Sequence, residues 1–199
     1  MEYKIITVSD PAEITNAPVA NVDGFRLGLP GYEPKTTARL VYIKDKGFLC
    51  RMESFETDLK ADCHEEDGDT YKDNCMEWFI NFNPALSDCY LNFEANSIGV
   101  LHVKWGNDEN RITLDRSIER PTAKAVVYDD HWTVDYFISL HTISQVFHVD
   151  SVKQGDVYRG NFFKCGDETE KPHYGMWTPV TDPDLSFHTP EHFGTFVLQ

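Results

Sequence analysis

Residues 73–82, DNCMEWFINF, alternate without a break. Met76, Trp78, Ile80 and Phe82 fall on one side; Cys75, Glu77, Phe79 and Asn81 fall on the other. A period of two is the mark of an extended strand, whose successive side chains point to opposite faces. The first set is apolar throughout and is expected to meet a core. The second mixes rings with polar groups, so Glu77 is expected to point away from that core.

The same period recurs on either side of this stretch. Residues 38–43 and 48–55 flank Lys44-Asp45-Lys46-Gly47, and an Asp and a Gly between two apolar runs read as a hairpin. Residues 90–96 and 100–105 pair across Ser97-Ile98-Gly99, and 122–128 and 132–140 across Asp129-Asp130-His131. In the last of these, Trp132, Val134, Tyr136 and Ile138 alternate with Thr133, Asp135, Phe137 and Ser139. Further strands are expected at 2–8, 157–164, 174–177 and 193–198, and a short helix at 141–147. Residues 9–35 hold Pro11, Pro18, Gly24, Gly28, Pro30, Gly31 and Pro34, which reads as an irregular stretch laid over the domain. About ten short strands with little helix predict an all-β fold, an antiparallel β-sandwich of jelly-roll type. One domain over residues 1–199 is expected, with 1–35 as a lead-in packed on the sandwich.

Bulk composition narrows the function. Asp and Glu number 33 against 18 Lys and Arg, a net charge of -15, which argues against a nucleic-acid partner because phosphate binding needs clustered cations. No apolar run reaches the length of a membrane span, so no membrane partner is expected either. The opening MEYKIITVSDP lacks a basic segment followed by an apolar one, which predicts a cytoplasmic protein; loss of a leader would fit an extracellular or periplasmic one. The cysteines, Cys50, Cys63, Cys75, Cys89 and Cys165, are odd in number and none forms a CxxC pair, so neither a disulfide framework nor a zinc ribbon is indicated.

The usual catalytic signatures are absent: no GxSxG elbow, no HExxH, no P-loop. His188 and His192 stand four apart, but Pro190 between them argues against the helix that would join them on one metal. Glu77 and Glu94 are placed to face each other across neighbouring strands, and paired carboxylates are the tools of glycoside hydrolysis when they flank the bond. The bland reading is that they accept hydrogen bonds without turnover. Residues 58–73, DLKADCHEEDGDTYKD, carry Asp58, Asp62, Glu65, Glu66, Asp67, Asp69 and Asp73. Their spacing is not that of an EF-hand; a solvated loop is the simple reading and a structural calcium ion the alternative.

Aromatic residues point further. A sugar offers flat C–H faces and a fringe of hydroxyls, so it is held by exposed rings beside directional polar groups. Trp78 and Trp132 lie on apolar strand faces and read as core. Tyr71, in a polar stretch before a strand, and Phe187, in the loop 183–190, lie outside the apolar faces.

Taken in order, these segments resemble the family 9 carbohydrate-binding modules. Tyr71 to Asn81 resembles the family's aromatic, polar run and Glu-Phe strand. Residues 159–167, RGNFFKCGD, resemble its penultimate core strand, and 177–194 its closing aromatic loop and final strand, with Ala38 to Tyr42 and Gly47 to Leu49 fitting its first hairpin. The resemblance covers most of residues 36–199. It implies a non-catalytic module of the type found attached to xylanases, linked to polysaccharide or oligosaccharide catabolism, with calcium structural in some members. By position, Tyr71 and Phe187 would be the two rings that hold a sugar and Glu77 a hydroxyl acceptor. Asp184 falls near an amide position of the family. Glu94 and Asn96 would add hydrogen bonds and Trp177 a third ring. Two departures stand out: Tyr and Phe replace platform tryptophans, and Glu94 falls where the family carries an arginine. Alternatives are a glycoside hydrolase built on Glu77 and Glu94, and an interaction domain whose sugar site has decayed.

Overall fold

The computed structural model describes residues 1–181 and 186–199. Its strands are β1 (Glu2–Val8), β2 (Ala20–Asn21), β3 (Thr36–Ile43), β4 (Gly47–Ser54), β5 (Cys75–Asn81), β6 (Tyr90–Asn96) and β7 (Leu101–Gly106). They continue with β8 (Arg111–Thr113), β9 (Thr122–Val127), β10 (Trp132–Ser139), β11 (Val157–Cys165), β12 (Tyr174–Met176) and β13 (Gly194–Leu198). One α-helix, α1 (Leu140–Phe147), follows β10, and 3-10 turns span Pro11–Asn16, Thr70–Lys72 and Pro190–His192. The expected hairpins and the helix stand where the alternation and turn residues put them. Ser139 caps α1 by accepting from the Thr142 amide, and His148 ends it in the left-handed region at φ 55°.

Two sheets share a strand. One runs β8-β7-β6-β5-β11-β13-β1 and the other β1-β3-β4-β10-β9, with β12 beside β11 and β2 beside β3. Glu2 to Ile5 pair with β13, and Ile6 to Val8 pair with β3. Both pairings are parallel, while all the others are antiparallel. A parallel neighbour needs a long crossover, and residues 9–35 supply the one from β1 to β3. The opening of the lead-in is therefore built into both sheets. The two strands that the alternation does not reveal, β2 and β8, have two and three residues, too few to show a period.

The inner faces meet as the pattern predicts. Trp78, Phe93, Trp132 and Tyr136 are fully buried. Trp78 stacks on Phe93 at 4.9 Å, and the Tyr136 hydroxyl crosses between sheets to donate to the Met76 carbonyl at 2.5 Å. Burying such rings supplies about 25 cal/mol per Å² of apolar surface, the main drive for closing the sandwich.

β11 interrupts this apolar layer with a charge. Lys164, fully buried, places Nζ 2.9 Å from Glu56 Oε1, 2.6 Å from His173 Nε2 and 2.9 Å from the Cys165 carbonyl. Glu56 also accepts from Trp132 Nε1 and Asn74 Nδ2, both at 2.9 Å, from Tyr32 Oη at 3.0 Å and from Ser54 Oγ at 3.2 Å. Burial works to raise the Glu56 carboxyl, but the Lys164 ammonium and these donors outweigh it and hold the group down at about 2. His173 is pushed down to about 4 by burial and by Lys164, so its neutral ring accepts at Nε2 and donates from Nδ1 to the Lys171 carbonyl at 2.7 Å.

Candidate functional site

Against the outer face of the first sheet lies a cavity of about 410 Å³. Its floor is built from adjacent strands: Glu77 on β5, Asn92 and Glu94 on β6, His102 and Lys104 on β7, Arg111 on β8 and Cys165 on β11. Register makes this an ordered array. Glu77 pairs directly with Glu94, Glu94 with His102, and Asn92 with Lys104. Because side chains on one face of a sheet recur every second residue, these groups all rise from one surface.

The floor's hydrogen bonds are only partly made. Asn92 Nδ2 donates to Glu94 Oε1 at 2.7 Å, while Asn92 Oδ1 is buried and has no partner. Native folds seldom leave a buried acceptor unpaired, because its lost hydration costs about 1–3 kcal/mol. Glu77 Oε1 accepts the Cys165 thiol at 2.9 Å. His102 Nδ1 lies 2.9 Å from the Gly68 carbonyl, which ties the floor to the acidic loop.

Rings form the walls. Tyr71 comes from the Thr70–Lys72 turn, where its carbonyl accepts from the Asp167 amide at 3.1 Å. Phe187 stacks on Phe163 at 4.2 Å and meets the edge of Tyr174 at 6.4 Å. His188 stacks on Phe79 at 5.0 Å, with Nδ1 2.9 Å from Tyr90 Oη. Phe187 and Tyr71 are each half-buried, presenting ring surface to the cavity they line.

Charge is strained here. Burial pushes the Glu77 carboxyl well up, and Cys165 and Glu94 push it the same way. Glu94 is raised by burial, offset in part by His102, Asn92, Lys104 and Arg111. Asp167, at the rim, is pushed up to about 6 by burial and by Glu94. His188 falls to about 3 through burial and the bases Arg111, His102 and Lys104, so its ring is a neutral wall. The surface can accept and donate to several hydroxyls at once while rings cover flat apolar faces.

Of the residues expected from sequence, Tyr71, Glu77, Glu94 and Phe187 line this one cavity. Asn96 and Trp177 do not. The Asn96 amide is fully buried and donates to Asp73 Oδ2 and the Cys63 carbonyl, both at 2.9 Å, which pins the acidic loop. Trp177 is only 6% exposed and packs against Tyr3, Phe162 and Phe196 in the core, because its amide still bonds the Phe162 carbonyl and alternation puts it on the face opposite Met176. Asp184 lies outside the described residues. Asn92, His102 and Lys104 were not singled out from sequence, though they stand at polar positions of alternating strands. Arg111 carried no such signal, since β8 is too short to show a period. The bases His102 and Lys104 on β7 and Arg111 on β8 stand around Glu94.

The acidic loop disperses its carboxylates. Asp73 accepts from the Asp62 and Cys63 amides, Asp67 pairs with Arg120 at 2.7 Å, and Asp58 with Lys171 at 2.7 Å.

The profile of carbohydrate-binding family 9 matches residues 9–198. Among solved structures, a candidate carbohydrate-binding protein from Bacteroides uniformis ATCC 8492 superposes with a TM-score of 0.84 at 22% identity, covering 100% of this chain and 99% of that one. A family 9 module from Caldicellulosiruptor kristjanssonii superposes at 0.71 in complex with cellotriose and at 0.70 in complex with glucose, in both cases at 13% identity. Coverage is 100% of this chain and 94% and 96% of those. At such identities the structural likeness speaks for the fold. No curated protein matches the chain.

Proposed function

The chain belongs to carbohydrate-binding family 9, and we propose that it binds a mono- or oligosaccharide in the outer-face cavity without cleaving it. The observation that carries this reading is the floor between the rings: Asn92 Oδ1 is buried and unpartnered beside Glu94, Lys104 and Glu77. A sugar hydroxyl supplies the missing donor. Tyr71 and Phe187 cover the sugar's C–H faces, Glu77 and Glu94 accept from hydroxyls, and Lys104 and Arg111 donate to ring or hydroxyl oxygens. A volume of about 410 Å³ falls within the roughly 300–1,000 Å³ of small-molecule sites.

Binding is favoured over hydrolysis by placement. Glu77 and Glu94 stand side by side on one floor, whereas hydrolysis needs carboxyls on either side of the scissile bond. The neighbours in complex with glucose and cellotriose supply the first ligands to try.

Titration calorimetry with glucose, cellotriose and a panel of other sugars tests the proposal. The expected result is a dissociation constant on the order of micromolar to millimolar, since few rings and hydrogen bonds must offset the cost of association. Binding should be lost in Tyr71→Ala, and a chromogenic glycoside should remain intact. Absence of heat with every sugar at millimolar concentration overturns it in favour of an interaction domain.

A further inference from the structure

Cys75, Glu77 and Cys165 meet at the edge of the cavity floor. Cys75 and Glu77 stand two residues apart on one face of β5, and Cys165 on β11 is the direct cross-strand partner of Cys75. All three are buried, at 0%, 3% and 1% exposure. Their two Sγ atoms and a carboxylate oxygen lie within 4.8 Å of one another. Among the described residues, this is the one place where three metal-capable side chains converge so closely.

The dimensions suit a tetrahedral ion. Metal–sulfur bonds of about 2.3 Å and metal–oxygen bonds of about 2.0–2.2 Å set ligand atoms roughly 3.5–3.8 Å apart. The three atoms, none more than 4.8 Å from another, already lie close to that spacing. The surroundings favour a cation as well. The main electrostatic neighbours of Glu77 are acids, namely Cys165, Glu94 and Asp167. A buried carboxyl ringed by acids is either protonated or neutralised by an ion. Two sulfurs in the set select a soft or borderline ion over calcium or magnesium.

We propose that Cys75, Cys165 and Glu77 bind one thiophilic divalent ion, with Zn²⁺ as the first choice, leaving its fourth position open to the cavity. Glu77 and Cys165 both line that cavity, which provides the route of entry. Binding exchanges protons for metal: both thiols and the carboxyl give up theirs as the ion's bonds form, so up to three protons leave and affinity rises with pH. The site shares Glu77 and the cavity with the sugar reading, but it stands on the convergence of the three ligands and is tested without any sugar.

Cobalt is the probe. The reduced full chain is titrated with Co²⁺ while thiolate-to-metal charge-transfer absorption is followed. The expected result is saturation at one ion per chain, with the band bleached by Zn²⁺. Cys75→Ser and Cys165→Ser should each lose most of it, and Cys63→Ser and Cys89→Ser none. If the buried serines unfold the chain, Glu77→Gln decides: it keeps both thiols, and Zn²⁺ should weaken at least tenfold relative to the unaltered chain. A Co²⁺ spectrum without a thiolate band overturns the proposal. So do a band that survives Cys165→Ser, equal Zn²⁺ affinity in Glu77→Gln, and a Cys75–Cys165 disulfide whose reduction yields no metal uptake.

Discussion

Strand β11 sends a polar side chain to each of its faces, and the two meet opposite fates. Inward, Lys164 finds Glu56, and every acceptor around it is matched until the carboxyl is held at about 2. Outward, the next residue, Cys165, meets Glu77, and the carboxyls around it are pushed up. Both clusters are buried, so burial alone does not separate them. What separates them is completeness. A saturated network holds two sheets in register and has nothing left to offer a ligand. An incomplete one, with an orphaned Asn92 oxygen and crowded acids, retains its capacity for a ligand at some cost to stability.

The largest test of this contrast is Lys164→Met. Removing the ammonium strands Glu56 as a buried charge and should cost about 3–5 kcal/mol, read as a fall in the urea midpoint. Glu77→Gln should leave the midpoint unchanged or raise it. Equal losses in the two variants would erase the distinction. Next in size is Phe187→Ala, which should weaken sugar at least tenfold, about 1.4 kcal/mol, in calorimetry. Because Phe187 rests on Phe163 from outside, its melting temperature should move little; a large drop would make the ring part of the core.

Glu94→Gln should weaken sugar by about 1.5 kcal/mol, the lower end of the scale of a charged hydrogen bond, without loss of stability. The smallest effect belongs to Asp167. Its folded value of about 6 lies above the ordinary 3.8, so the fold holds this proton more tightly than the unfolded chain. Its contribution is present below pH 3.8 and is lost as pH rises to 6. Asp167→Asn should remove that loss, a relative gain of about 1 kcal/mol at pH 7 over pH 4 after allowance for solvent screening. Paired melting curves at the two pH values check it.

How much of this was legible follows from the same contrast. Period-two alternation displayed the strands and the two faces of residues 73–82, because one face of each strand is apolar. It brought Glu77 opposite Glu94 and set Tyr71 and Phe187 apart from the apolar faces. Three things carry no local signal. Parallel pairing of β1 joins residues nearly the whole chain apart. Lys164 follows two phenylalanines, and its partner Glu56 lies more than a hundred residues away in sequence. Cys75 and Cys165 form no recognisable motif, since their juxtaposition exists only through β5–β11 register. Trp177 and Asn96 show the converse: ring and amide chemistry suited a binding role, but burial assigned them to core and loop anchoring.

The shared strand has a mechanical consequence. Glu2 to Ile5 run parallel to Thr195 to Leu198, so the chain enters at one end of this ladder and leaves at the other. A pull that separates the two termini therefore slides β1 along β13 instead of peeling it away. The rungs carry the load together, and the ladder gives way as a unit, in the manner of a lap joint under tension.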